Sequence, residues 1–461
     1  DSIAAAARQP LPAFSTQDLS NTAWSFAVLH FHDAPLLHAI AAASLRILTD
    51  EDTQAMVNPA WAYAVLLIRH EPLLDALAAA AIRTSRDFHT QALANTAWAF
   101  STLVFSNLPL MSSIAAAALR KMQSFSTQDL ANTSWAFANF SICDPPLLDA
   151  IAASARSKLA VTKLAALPLE DAHRLALDLT ALAWALAFLG RLAQAVGAGV
   201  FVTLAAIGRE VDSRVAAAVP ARRLAAIGKA PVLVGQYDGY LQAHDAAMAD
   251  CPNVSSRAVG TMPGAPVSGQ PAVVLDRPGA VVVYKPVGWE VDSTGGGDNR
   301  LLLSSFLQEN FPKERCPLVH APDFGFGFLH RLDVPSSGLI LVATSFEGLY
   351  SLRGQLNIYR LEREYATVCH SLAPPALEVN ARVDATSTQV LRSAISDVGR
   401  PASSHLLTPA QLLGRGGRFS IVAVRIRTGR RHQIRAHTRH VGHPTVADSW
   451  YCPEACVLRA D

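Results

Sequence analysis

The chain has 461 residues, 51% of them hydrophobic, and a formal net charge of +2. That length sets an expectation of about three domains at roughly 150 residues each, with ample apolar material for cores. The near-neutral total hides an imbalance: residues 1–158 hold 9 Lys and Arg against 12 Asp and Glu, whereas residues 270–461 hold 21 against 17.

The first signal along the chain is periodic. Trp24, Trp61, Trp98 and Trp135 are each 37 residues apart, and Pro35, Pro72, Pro109 and Pro146 keep the same step. The unit reads FSTQDLxNTAWxFAxL, a short break, then PLLxAIAAAALR. Leu19, Ala23, Phe26 and Ala27 fall at i, i+4, i+7 and i+8, the pattern of an amphipathic helix. Ser15 or Thr16 supplies its cap, with Asp18 in the first turn. Pro35 suits the first position of a second helix, where a missing N–H costs nothing. Two helices per unit at a fixed period predict an all-α solenoid over residues 1–158, because one pair cannot bury its own apolar face. The Trp series reads as packing rather than base stacking. Pro59 stands where other units have Thr22, Thr96 and Thr133, which predicts a kink or a late start in that helix. Asp1 opens DSIAAAAR, which aligns with DAIAASAR at Asp149, so the chain starts in mid-unit and reads as part of a longer array.

A fifth tryptophan, Trp184, comes 49 residues after Trp135 and implies an insertion or a degenerate last unit. Residues 159–251 read as that unit and the capping helices that cover a solenoid's open end. The apolar stretch from Leu175 to Gly208 is interrupted by Asp178, Arg191 and Gln194. Neither uninterrupted piece reaches the ~20 residues that a span needs, so buried helices are expected there and no membrane segment. Between 252 and 271 Pro, Gly and Ser dominate, the composition of a linker.

From 272 onward β-branched runs appear: AVVLD, AVVVYK, LILVAT, YATVC and FSIVAVRI. Turn residues separate them, which predicts an α+β domain on a mostly antiparallel sheet over 272–461. Within 398–447 there is no acid, while Arg415, Arg418, Arg425, Arg427, Arg430, Arg431, Arg435 and Arg439 fall close together. Such a stripe suits a phosphate backbone. The run HRLDVPSSG, His330 to Gly338, sets Asp333 between an Arg and a small-residue turn, ahead of an apolar strand. A carboxylate at the lip of a sheet beside a cation suits a nucleophile or a base, and equally a surface ion pair. The six cysteines are scattered and match neither a disulfide framework nor a zinc site, which favours a reduced, intracellular compartment.

Four motifs follow one another in fixed order: VVVYKPVGWEVD with Lys285, Pro286 and Gly288; HRLDVPSSG; REYATV with Arg363 and Tyr365; and TGRRHQIRAHTRHVGHPTVAD from Thr428 to Asp448. This set resembles the RluA-type pseudouridine synthases over roughly 270–461. The resemblance implies a mixed, mostly antiparallel sheet whose cleft takes a flipped uridine, with no cofactor and no metal. It implies Asp333 as the catalytic carboxylate, Arg435 as its partner and Tyr365 as the ring stacked on the target base. Lys285, Arg331, Arg430 and His432 would hold backbone phosphate or shape the cleft. Ser336 replaces the usual Thr, Ala447 stands where the family has Gly, and His370 where Gly is common. The family usually continues past the point where this chain stops, so the domain reads as truncated at its end.

The helical units resemble octotricopeptide-type repeats, associated with RNA handling in organelles, which implies a chloroplast or mitochondrial address. The implied partner is RNA, ribosomal or transfer. A protein partner on the solenoid is the other expectation for the array. Two rival readings are a synthase domain that only binds RNA, and a repeat scaffold that recruits the enzyme to a ribonucleoprotein.

Overall fold

The computed structural model describes residues 13–29, 31–47, 53–192, 194–218, 269–292, 301–385, 392–414 and 417–452. The expected linker falls outside these residues except at its last three positions. The chain divides into two compact units, one made of Asp1–Ile207 with Tyr350–Asp461 and the other of Gly208–Leu349. The segment 272–461 is thus shared between them.

The repeats form alternating helices in the first unit. One series is α1 (Thr16–Val28), α3 (Thr53–Val65), α5 (Thr90–Thr102) and α7 (Thr127–Asn139). Between them lie α2 (Ala34–Ile47), α4 (Glu71–Thr84), α6 (Leu108–Lys121) and α8 (Pro145–Val161). The helix starts keep step with the tryptophans.

Capping follows the sequence residue by residue. Ser15 with Asp18, and Ser126 with Asp129, form reciprocal capping boxes that satisfy the first backbone N–H groups. Where the unit reads His89 instead of Ser, α5 has no side-chain cap. The second helices are capped at one shared position: Asp33, His70, Asn107 and Asp144 accept from Leu36, Leu73, Leu110 and Leu147 N–H. A Pro follows within the first turn, where no N–H is missed. Each of three first helices closes on a left-handed residue, Leu67, Val104 or Ser141. The next N–H reaches back to a helix carbonyl: Ile68 to Tyr63, Phe105 to Phe100, and Ile142 to Phe137.

α3 does not start late. It begins in step with its counterparts and runs through Pro59 without interruption. Burial of Met56, Ala60, Tyr63 and Ala64, with the Tyr63 hydroxyl donating to Leu37 O, holds the helix despite the missing bond. The tryptophans are not the core either. Trp24 is 46% exposed, and Trp61, Trp98 and Trp135 are half-buried. Small residues fill the interior instead: Ala23, Ala27, Ala94, Ala97 and Ala136 are buried, so successive first helices lie side by side.

α9 (Leu169–Phe188) packs on α7 as the next of that series, and α10 (Gln194–Ala218) follows. Among the described residues no helix is long and apolar enough to cross a membrane.

The second unit holds a three-stranded antiparallel sheet, β1 (Ala272–Arg277), β2 (Ala280–Lys285) and β3 (Gly338–Ala343), in that spatial order. A short α11 (Leu303–Asn310) belongs to it, as does the start of α12 (Phe346–Asn357). Asp212 accepts from the N–H groups of Phe346 and Glu347 at 2.8 and 3.0 Å, capping α12 from α10. The close approach needs Gly208, since a Cβ there would meet the Glu347 backbone at 2.3 Å.

In the first unit, β4 (Arg363–His370), β5 (Ala376–Asn380), β8 (Ser403–Gly414) and β9 (Gly417–Ile426) form a sheet ordered β4-β9-β8-β5, all antiparallel. A ribbon of β6 (Val383–Asp384) and β7 (Ala394–Ile395) and a helix α13 (Gln433–His440) complete it. Cys369, Val379, Leu406, Val422 and Val424 make its core. Repeats and sheet are joined by polar bonds. Arg382 donates to Asn139 O, Asn357 donates to Thr180 O, and the His173 ring meets the Tyr350 hydroxyl.

Candidate active site

Asp333 sits in the second unit on a turn that two motifs build together. β2 ends at Lys285, which pairs in register with Gly338, the first residue of β3. Gly338 has φ +148°, a conformation that favours glycine and lets the SSG turn enter the strand. Asp333 opens the turn, its carbonyl accepting from Ser336 N–H at 3.0 Å. The preceding residues alternate: Arg331 is exposed, Leu332 buried and Asp333 half-buried. His330 faces the sheet, its Nε2 accepting from Leu341 N–H at 3.1 Å.

Beneath this turn lies a buried cation. Lys285 is 0% exposed, and its Nζ donates to the carbonyls of Pro286, Val334 and Ser336 at 3.0, 3.4 and 2.6 Å. Burial pushes the Lys285 ammonium down to about 8, while the Asp333 carboxylate acts in the opposite direction. A buried ammonium saturated by three carbonyls does not reach out to RNA. Of the two expectations for Lys285, these contacts favour shaping the cleft over holding phosphate: it ties the end of β2 to both sides of the Asp333 turn.

The other candidates lie in the first unit. The segment from Thr428 to Gln433 is folded around one side chain. Gln433, 2% exposed, accepts from Thr428 Oγ1 at 2.8 Å and Arg430 N–H at 3.0 Å and donates to Ser403 O and Ser404 Oγ. That clamp places Arg430 and turns His432 into a left-handed conformation, φ +53°, ahead of α13. The His432 ring meets Trp450 and Tyr451 edge-on, with centroids 5.5 and 5.9 Å away.

Arg435 is held by a carboxylate of its own unit. Its Nε and Nη2 each lie 2.7 Å from an oxygen of Asp448, a bidentate pair. Thr445 Oγ1 and the N–H groups of Trp450 and Tyr451 also donate to Asp448. Burial raises the Asp448 carboxyl, but hydrogen bonds from Arg435 and Thr445 outweigh it and hold the group below the usual carboxylate range. The guanidinium lies over the rings of Tyr451 and Trp450, 4.8 and 5.4 Å from their centroids. Asp333 and Arg435 belong to different units, so the expected contact between them is not described.

Tyr365 lies on β4 opposite Val424, half-buried, its ring packed against the sheet core. Arg430 is half-buried; burial pushes it down to about 10, and Arg400, Arg382 and Arg363 add to that effect. Asp448, Gln433, Trp450 and Tyr451 were given no role by the sequence reading. Asp448 had a signal, since it closes the fourth motif. Among the described residues no group of three His, Cys, Asp or Glu is placed to hold a metal ion.

Residues 279–440 match the RNA pseudouridylate synthase family. Residues 3–145 match the RNA-editing substrate-binding complex 6 protein family. Among relatives, an uncharacterized RNA pseudouridine synthase of Chloroflexus aurantiacus is 32% identical over 169 residues, covering 37% of this chain and 51% of that protein. Ribosomal large subunit pseudouridine synthase D of Xylella fastidiosa is 31% identical over 170 residues, 37% and 48% of the two chains. A solved structure, human RNA pseudouridylate synthase domain containing 1, is 24% identical with TM-score 0.32 over 40% of this chain and 70% of that one. The chain spans about half the length of the curated relatives it matches.

Proposed function

We propose that this protein isomerises uridine to pseudouridine in RNA, ribosomal or transfer, with the helical repeats contributing recognition of RNA or of a protein partner. The observation that carries the reading is the Asp333 turn: a half-buried carboxylate beside exposed Arg331, braced from below by Lys285. The reaction breaks the bond from C1′ to N1 of uracil, turns the base and rejoins it through C5. It requires an ionised carboxylate near the sugar, a platform for the detached base and an acceptor for the C5 proton. Asp333 meets the first need, by attack on C1′ or by removing a sugar proton. Arg435 is its guanidinium partner in this reading. Tyr365 offers the base a ring, and stacking is worth ~1–3 kcal/mol per base. Arg331, Arg430 and His432 hold the backbone phosphates, which offset the few kcal/mol needed to extrude the nucleotide. The division into array, capping helices, linker and synthase domain, and an address in an organelle, form part of the same proposal.

The test is position-resolved pseudouridine mapping in cells that have the protein, lack it, or carry Asp333→Asn. Loss of one set of sites under both depletion and substitution supports the enzyme. Sites that vanish on depletion but persist with Asp333→Asn reject it in favour of an RNA-binding role.

A further inference from the structure

Where the repeats meet the sheet, within the first unit, a cavity of about 280 Å³ is lined by Trp135, Thr180, Trp184, Asn357, Arg400 and Arg430. Three of these come from repeat helices and three from the synthase half. Of these, only Arg430 already has a proposed role, in holding backbone phosphate. The volume is at the small end of ligand sites, about 300–1,000 Å³, and so suits a single nucleotide unit.

Cations dominate the charge around it. Arg363, Arg382 and Arg400 all act on Arg430. The guanidiniums of Arg363, Arg382 and Arg430 donate to backbone carbonyls. Arg430 Nε donates to Pro401 O, Arg363 Nη2 to Arg427 O, and Arg382 to Gly399 O and Asn139 O. The Arg363 Nε is buried with no partner. Asp397 acts on Arg382. Among the described residues, however, no ion pair joins Arg363, Arg400 or Arg430 to a carboxylate, whereas Arg425 and Arg435 have theirs. Clustered, partly desolvated cations without an acid repel one another and are stabilised by an anion. Planar forks of this kind fit phosphate oxygens. The two indoles add flat apolar faces, Trp184 being backed by Phe188 at 5.4 Å and 26°.

We infer that this cavity binds one nucleotide of single-stranded RNA other than the target uridine, its phosphate on Arg400 and Arg430 and its base against Trp135 and Trp184. The inference rests on the proposed action on RNA and gives the joint between repeats and synthase a recognition role of its own. A phosphorylated protein segment could match the cations but would leave the paired indoles unused, so RNA is the better fit.

The test measures binding apart from turnover. Full-length Asp333→Asn protein is titrated with fluorescently labelled polyuridine at several salt concentrations, alone and with Arg400→Gln, Trp184→Ala or Trp184→Phe added. Arg400 is exposed, so its substitution spares the core. Arg400→Gln is expected to weaken binding about tenfold and to lower the salt slope by roughly 0.7. Trp184→Ala is expected to weaken it by about tenfold and Trp184→Phe by much less, as stacking requires. Unchanged affinity and slope for Arg400→Gln would overturn the inference, as would better competition by a phosphoserine peptide than by unlabelled polyuridine. Isomerisation is scored separately with Asp333 intact. Turnover with normal binding by Arg400→Gln sinks this site alone, and weakened binding without any turnover sinks the enzymatic reading alone.

Discussion

In the proposed mechanism Lys285 serves the chemistry without touching substrate. Its ammonium holds three carbonyls around the Asp333 turn, and burial brings its titration down to about 8. Above that pH the folded chain loses a positive charge beneath the proposed catalytic carboxylate. Turnover is therefore expected to fall on the alkaline side with a midpoint near 8, and Lys285→Met to be slow at every pH and to lack that limb. A pH–rate profile of both proteins checks it. Stability moves the other way. An unfolded lysine keeps its proton to about 10.4, so folding gains free energy as pH rises from about 8 towards 10. Ala447 is a second instructive position. It has φ +59° where the resembled family has glycine, and a side chain in that region costs about 1–2 kcal/mol. Part of this is offset because glycine also loosens the unfolded chain. Ala447→Gly is expected to raise stability by about 0.5–1 kcal/mol, read as a higher thermal midpoint.

Among the elements, the repeat helices make their own predictions. Removing the box at α7 with Ser126→Ala should cost about 1 kcal/mol, whereas His89→Ala at α5, where no side-chain cap exists, should cost little. Thermal unfolding of the two variants distinguishes them. Asp178 on α9 carries the opposite kind of effect. Burial raises its carboxyl to about 6, against the pull of Arg174 and Thr127, and Asp129 adds to the rise. Its folded pKa exceeds the unfolded value near 3.9, so the unfavourable contribution is full above about 6 and disappears as pH falls towards 4. Asp178→Asn should stabilise the protein at pH 7 by about 1–2 kcal/mol, discounted for partial solvent screening, and do nothing at pH 4. Helix positions, the Ser15 cap and the strand runs were legible because they depend on local pattern. The partial exposure of the tryptophans was not legible because alanine spacing, not ring size, sets how close the first helices come. The uninterrupted helix at Pro59 was hidden because tertiary packing overrode a local cost. The same holds around the candidate residues: Asp333 was marked by its turn, while Gln433 works through contacts with Ser403 and Ser404 that no spacing displays.

At the scale of the whole molecule, the division into units departs from the order of motifs. The sheet carrying Tyr365 and the helix carrying Arg435 share a unit with the repeats, through bonds such as Arg382 to Asn139 and Asn357 to Thr180. An excised 272–461 segment should therefore unfold at a lower temperature than the same residues in the full chain. Hydrogen exchange at β8 and β9 in both forms tests this, and equal protection would show the repeats to be dispensable for folding. The arrangement also bears on synthesis. The ribosome delivers residues 1–207 before residues 350–461, so the carbonyls of Asn139 on α7 and Thr180 on α9 wait for their partners until the later segment emerges. Over that interval the repeat array carries an unfinished face, which makes the emergence of residues 208–461 the moment when a chaperone would matter most.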